Sequence, residues 1–165
     1  MSNEFNKDNR YSQGVSDETW LLDKYIKAFP TMIGSHLIKA DGWAQRGGVD
    51  RIIITEGGKD IRIDEKIRRE DWPDILIEIY SNSVKGTEGW IKKDQACDYI
   101  AYIFAPSQRM YLLPFHTLQR AFRDNGDAWV EAYGEKQAPN PRYITSNVAV
   151  PIEELMRAMT FAMLC

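Results

Sequence analysis

Isoleucines recur, in part at alternate positions, in two stretches that flank a pair of glycines. The stretches "DRIIIT" (50–55) and "KDIRIDEKIR" (59–68) predict two β-strands, and "EGGK" (56–59) predicts the turn between them. A third alternating stretch, "DILIEIYSN" (74–82), predicts another strand, and Pro73 suits the position directly before it. These patterns predict a β-hairpin followed by a further strand in the middle of the chain.

Apolar residues at helical spacing predict helices on both sides of these strands. The first covers residues 17–29 and ends at Pro30, and the second covers "WIKKDQACDYIAYIFA" (90–105) and ends at Pro106. The remaining predicted elements are strands at 36–38, 109–115 and 143–150, a short helix at 116–125 with Gly126 just past its end, a loop at 133–142 and a helix at 151–163. This order predicts one mixed sheet with helices packed against it.

The length and the N-terminal segment indicate how the chain is organised. A chain of 165 residues suits one domain with its own core. We expect a flexible polar tail over residues 1–15 and one domain over residues 16–165. No apolar run approaches the ~20 residues of a membrane helix, and the first residues lack the apolar core of a signal peptide. A cytoplasmic protein that does not contact membranes is therefore expected.

Charge and cysteine content narrow the function classes further. The formal net charge of -3 argues against a protein that coats nucleic acid through a general positive field. The two cysteines, Cys97 and Cys165, have neither a metal-binding spacing nor the number needed for a disulfide framework. Contact with nucleic acid would therefore need local basic groups, or metal ions that neutralise local acids.

Acidic and basic side chains share one face of the predicted hairpin. Because side chains alternate along a strand, Arg62, Asp64 and Lys66 lie on one face, and Glu65 lies among isoleucines on the other. Asp64 and Lys66 are then roughly 7 Å apart along the strand. Pairing about the Gly57-Gly58 turn places Asp50 opposite a residue near 65 or 66. The sequence thus permits two carboxylates and one ammonium group at one end of the sheet.

Such a cluster suits metal-dependent hydrolysis of a phosphodiester. Carboxylates are the ligands that Mg²⁺ and Mn²⁺ prefer, and the metal polarises a phosphate oxygen and eases deprotonation of water. A lysine beside them can orient the water or stabilise the charge that develops on phosphorus oxygens. For any one of these residues, a solvated position at a strand end is the commoner role. All three at this spacing favour the functional interpretation.

Three motifs in this order resemble a known family. "GVD" (48–50), "IDEK" (63–66) and "QACDY" (95–99) are similar to the G-x-D, (D/E)-x-K and Q-x-x-x-Y series of the PD-(D/E)XK nuclease superfamily, in its RecB/Cas4-like branch. The resemblance covers roughly residues 17–105. It implies an α/β fold of the restriction-endonuclease-like type, with a mixed β-sheet flanked by helices. It also implies a deoxyribonuclease that depends on Mg²⁺ or Mn²⁺.

The resemblance also assigns roles to individual residues. It implies that Asp50 and Asp64 bind the metal, that the backbone carbonyl of Glu65 is a third ligand, and that Lys66 is the catalytic lysine. An acid on the first helix completes the site in many members, and Glu18 is the candidate here. Glu65 departs from the family pattern, which usually has an apolar residue at this position, and its side chain needs a partner such as Arg51 or Arg68.

The predicted helix at 90–105 supplies candidate contacts to nucleic acid. Gln95, Tyr99 and Tyr102 fall on one stripe of this helix, and Lys92 and Lys93 lie near its start, where backbone N–H groups also favour phosphate. We interpret Gln95, Tyr99, Lys92 and Lys93 as residues that bind DNA. The equally simple alternative is an ordinary amphipathic helix with half-buried tyrosines.

Two other functions compete with the nuclease hypothesis. One is a catalytically inactive module of the same fold that binds nucleic acid or a protein. The other is a structural or interaction protein, which predicts that Asp50, Asp64 and Lys66 lie far apart. DNA is the expected partner, and RNA, protein partners and a homodimer are left open.

Overall fold

The computed structural model describes residues 11, 12, 14–38, 47–140 and 143–164. In chain order, its elements are α1 (Thr19–Ala28), β1 (Met32–Leu37), β2 (Arg51–Thr55), β3 (Ile61–Arg68), β4 (Asp74–Asn82), β5 (Thr87–Glu88), β6 (Tyr99–Phe104), β7 (Arg109–Pro114), α2 (Phe115–Tyr133), β8 (Glu135–Pro139), β9 (Ile144–Pro151) and α3 (Ile152–Leu164). The described residues of the predicted domain form two compact units. The first unit comprises residues up to 71 and 96–113, and the second comprises 72–95 and 114 onwards.

The first unit contains a mixed five-stranded sheet in the order β1-β2-β3-β6-β7. Strand β2 pairs antiparallel with both β1 and β3, whereas β6 runs parallel to β3. The β2–β3 turn contains Gly58 at φ 70°, a backbone conformation that favours glycine. Helix α1 buries Leu21 and Tyr25 against Ile53, Ile63 and Ile103 of the sheet, and this contact forms the core of the unit.

The second unit contains a four-stranded antiparallel sheet in the order β5-β4-β9-β8, together with α2 and α3. Alternate residues of β4 are fully buried, namely Ile75 and Ile77, with Ile79 nearly so. This is the period-2 burial expected of a strand with one face in a core. No helix in the described part of the chain has the length and apolar character needed to cross a membrane.

The mixed α/β class predicted from the sequence is confirmed, and a mixed sheet packed against helices is consistent with a restriction-endonuclease-like fold. The helix predicted at 17–29 and the strands predicted at 50–55, 59–68, 74–82 and 143–150 are all present, with small shifts at their ends. The expected single sheet is wrong, because the described strands form two sheets. Strand β4 pairs with β9, not with the hairpin that precedes it.

The helix predicted at 90–105 is also wrong. Residues 90–93 form a turn, and "YIAYIF" forms strand β6, in which every residue from Ile100 to Phe104 is buried. A run buried on both faces lacks the alternation of a surface strand, so its apolar positions also match a helical period. The parallel pairing with β3 decides in favour of the strand.

Two boundaries in the C-terminal part differ from prediction. Helix α2 continues through Gly126 to Tyr133, and Gly134 at φ 74° follows its end. Gly126 is buried, and a Cβ at this position would lie 3.0–3.2 Å from the ring of Phe122, so the glycine serves packing and does not end the helix. The predicted loop at 133–142 contains the exposed edge strand β8, which pairs with β9.

The predicted tail at 1–15 is described only in its last residues. Val15 is buried in the core of the first unit and Tyr11 packs against it, so packed structure begins before residue 16. Residues 1–10 lie outside the described part of the chain.

Candidate active site

The pairing of β2 with β3 brings Asp50 and Asp64 together. Arg51 pairs with Ile63, and the N–H of Asp50 donates to the carbonyl of Ile63 at 2.8 Å. Extending this register by one residue sets Asp50 beside Asp64. The carboxylate Oδ2 of Asp50 then accepts the backbone N–H of Glu65 at 2.9 Å. The juxtaposition that the hairpin pattern predicted is therefore present, one or two residues from the expected register.

Lys66 is the third member of this cluster. Its Nζ lies 2.8 Å from both carboxylate oxygens of Asp64 and donates a hydrogen bond to Oδ1. Asp64 is only 2% exposed, and its Oδ2, although close to the ammonium, accepts no hydrogen bond from the described residues. These contacts contradict the interpretation in which the three residues lie far apart. We refer to Asp50, Asp64 and Lys66 as the carboxylate–lysine cluster.

The electrostatics of the cluster reflect burial and like charge. Burial, followed by repulsion from the neighbouring Asp64 carboxylate, raises the pKa of Asp50 to about 7. The N–H of Glu65 and the ammonium of Lys66 oppose this rise in the pKa only in part. The pair thus favours a bound positive charge, either a proton or a metal ion.

The residues of the cluster fit a divalent cation in chemical type. Two carboxylates provide hard oxygen donors, and Asp64 Oδ2 is a buried acceptor that lacks a hydrogen bond. A group of three histidine, cysteine, aspartate or glutamate residues suited to a metal is not found in the described ranges. Any further ligands would therefore be backbone oxygens, water or substrate oxygens, as is usual for Mg²⁺.

Glu65 lies on the opposite face of β3, in a buried polar network. Its carboxylate accepts hydrogen bonds from Arg51 Nε at 2.6 Å, from the Tyr25 hydroxyl at 2.9 Å and from the Ser16 hydroxyl at 2.5 Å. Arg51 is one of the two partners predicted for this glutamate, the other being Arg68. Burial, followed by the charge of Glu65, raises the pKa of Tyr25 well above its usual range. The side chain of Glu65 is thus directed away from the cluster, and only its backbone is left for the predicted metal contact.

Glu18 is not brought to the cluster. It lines an open cavity of about 340 Å³ together with Ser16, His36 and Arg51, on the side of the sheet where Arg51 meets Glu65. Asp50, Asp64 and Glu18 do not form a metal-binding group of three within the described residues. The fourth predicted ligand is therefore not assembled in this structure.

The predicted nucleic-acid contacts do not form one stripe. Tyr99 is in β6, where its ring meets Phe29 at 5.7 Å between centroids and packs against the core formed with α1, on the face opposite Asp64. Lys92, Lys93 and Gln95 belong to the second unit, where residues 90–93 form a turn. The helical spacing that grouped these residues does not exist, because residues 99–104 are a strand.

Sequence reasoning missed two groups near the start of β6. Asp98 accepts the backbone N–H of Arg62 at 2.8 Å and pairs with its guanidinium at 3.4 Å, which fixes β6 beside β3. Burial, followed by the charge of Asp64, raises the pKa of the Cys97 thiol to about 12. Cys97 is buried, and its proximity to Asp64 depends on the parallel β3–β6 pairing, which local patterns did not predict.

Comparisons with known proteins identify no relative of this chain: no family model, no curated protein and no solved structure matches it. The resemblance to PD-(D/E)XK nucleases therefore stays a prediction based on the three motifs.

Proposed function

We propose that this protein is a metal-dependent nuclease that hydrolyses phosphodiester bonds of DNA. The observation that carries the proposal is the carboxylate–lysine cluster, in which the buried carboxyl group of Asp64, the half-buried one of Asp50 and one ammonium meet where β2 begins beside β3. The motif resemblance supports the choice of DNA as substrate and leaves RNA open.

In this proposal Asp50 and Asp64 hold Mg²⁺ or Mn²⁺. The bound ion would polarise the phosphodiester and ease deprotonation of the attacking water. Lys66, whose side chain is 30% exposed, presents its ammonium at the same place and stabilises the negative charge that develops on the phosphate. Asp64 orients this ammonium through the hydrogen bond at Oδ1. The network behind Glu65 fixes the strand from which Asp64 and Lys66 project.

A cleavage assay tests the proposal. Labelled single- and double-stranded DNA would be incubated with Mn²⁺ and the parent protein, Asp64→Asn or Lys66→Ala. We expect cleavage by the parent, and a loss of about 100-fold or more in each variant, since each removes a charge on which transition-state stabilisation depends. Asp60→Asn and Lys59→Ala are matched controls, because both residues are exposed in the same hairpin and should retain full activity. Activity that persists in Asp64→Asn would contradict the assignment.

The inactive binding module is the second candidate. The observation that favours it is the missing third acidic ligand among the described residues, since Glu65 and Glu18 both lie with Arg51. This candidate predicts that the parent protein binds DNA and does not cut it under any metal condition. The same assay, combined with a gel-shift measurement, separates the two functions.

A further inference from the structure

The second unit contains a cavity that the nuclease proposal does not use. Its volume is about 380 Å³, within the range of sites that hold one small molecule. Its apolar wall consists of Ile91, Phe122 and Gly126. Ile91 is 2% exposed and Gly126 is buried, whereas Phe122 is half-buried, so part of its ring is accessible. A flat apolar group can therefore rest against the Phe122 ring.

Contacts on both sides of the cavity hold its walls in place. The side-chain amide of Gln119, on α2, donates to the carbonyls of Ile91 at 3.1 Å and Lys93 at 2.9 Å. These bonds fasten the 90–93 turn to the helix. Gly126 allows the Phe122 ring to lie close to the helix backbone, because a Cβ there would be 3.0–3.2 Å from three ring atoms. The cavity is thus built by specific contacts between two segments of one unit.

The polar lining carries an excess of positive charge. Lys92 and Arg123 are both exposed cations, and Asp127 is the one acid among the described residues that line the cavity. The ammonium of Lys92 lies 4.1 Å from the centroid of the Tyr80 ring, a contact that does not neutralise its charge. In the described part of the chain Arg123 forms no ion pair within 4.0 Å. An exposed guanidinium without an ion-pair partner among the described residues can donate hydrogen bonds to a phosphate group.

We propose that this cavity binds one nucleotide, with its phosphate against Arg123 and Lys92 and its base against Phe122 and Ile91. The chemistry that selects the ligand is a planar ring joined to an anion, a combination present both in free nucleotides and in the bases of a single strand. The proposal does not require the carboxylate–lysine cluster to cut DNA. It places a nucleotide-binding site in the second unit, and Lys92 is the one residue it shares with the contacts predicted from the sequence.

Calorimetric titration in EDTA tests this site, because EDTA removes the metal ions that the proposed cleavage needs. The ligands are deoxyadenosine monophosphate, deoxyadenosine, inorganic phosphate and a short single-stranded oligodeoxyadenylate. We expect the monophosphate to bind more tightly than the nucleoside or phosphate alone, because only the monophosphate engages both walls. Tighter binding of the oligonucleotide identifies a strand as the natural source of the nucleotide, and binding of the monophosphate alone identifies a free nucleotide.

Variants distinguish binding in this cavity from nonspecific attraction of the ligand to cations elsewhere on the protein. Arg123→Gln and Phe122→Leu should each weaken binding about tenfold or more, whereas Arg157→Gln, an exposed position on α3 outside the cavity, removes the same charge and should change nothing. Thermal unfolding of each variant verifies that it is folded. The proposal is overturned if the monophosphate does not bind, if all three variants bind it alike, or if inorganic phosphate binds equally well.

Discussion

At the scale of single residues, Asp50 is the most informative group, because its environment disfavours the ionised form of its carboxyl group. It is half-buried beside a second carboxylate, and its pKa rises to about 7. A surface aspartate at a strand end would keep an ordinary pKa and would carry no functional meaning. The sequence predicted which acids meet, since strand alternation and a short turn determine this locally. It did not predict the burial of Asp64, which depends on strands far along the chain.

This pKa predicts how stability depends on pH without divalent metal. The folded state keeps the Asp50 proton up to about pH 7, whereas the unfolded chain releases it near its ordinary value of 3.8. The free energy of unfolding should therefore fall as pH rises through this window, by on the order of 1 kcal/mol or more. Urea unfolding in EDTA at pH 5 and pH 8 measures the difference. Asp50→Asn should reduce this difference in unfolding free energy, whereas Asp60→Asn, at an exposed position, should leave it unchanged. Equal pH dependence in the parent and both variants would refute the assigned pKa.

The buried pair of Arg51 and Glu65 gives a second prediction at this scale. Both side chains are 5% exposed or less and meet at 2.6 Å. Arg51→Leu leaves the Glu65 carboxylate buried without its cation and should lower the free energy of unfolding by about 3 kcal/mol or more. The double variant Arg51→Leu/Glu65→Leu should recover part of the loss, because it removes the uncompensated charge. Denaturant unfolding measures both, and a double variant that is less stable than the single one would contradict this reasoning.

At the scale of elements, the sequence pattern predicted the strands that contain polar or charged residues and misassigned β6, which is almost wholly apolar. Strands β2 and β4 bury alternate residues, and the predicted bounds of both hairpin strands and of β4 were close to those observed. Strand β6 has no polar face, so its residues matched a helix equally well. That single error also grouped Gln95 with Tyr99 on a stripe that does not exist. Helix α2 was predicted too short because Gly126 was interpreted as its end, although the glycine makes room for Phe122.

Close packing of Gly89 against the backbone of β4 predicts that this glycine cannot be replaced without loss of stability. A Cβ at Gly89 would lie 2.2 Å from the backbone oxygen of Glu78, so one of the two backbones would have to move. Gly89→Ala should lower the free energy of unfolding by about 2 kcal/mol or more. Gly57→Ala is the matched control, since nothing lies within 4 Å of its Cβ position, and it should change stability by less than about 0.5 kcal/mol. Equal effects in thermal unfolding would show that this close approach is absent.

At the scale of the whole molecule, the fold class followed from the order of elements, but the division into two units did not. Strand β4 pairs with β9, which lies more than sixty residues later in the chain, and this pairing removes β4 from the hairpin sheet. Such pairing is decided by long-range packing, which periodicity does not report. Within the first unit, the mixed sheet brings the cluster together. The second unit supplies an independent cavity lined by cations.

Anomalous scattering from crystals grown with Mn²⁺ tests the proposed metal site directly. We expect one manganese peak between the Asp50 and Asp64 carboxylates, at metal–oxygen distances of about 2.0–2.3 Å, and no peak there in Asp64→Asn. A parent crystal that diffracts well and shows no manganese at these two carboxylates, at concentrations that support catalysis in known Mn²⁺ enzymes, would contradict the proposed site.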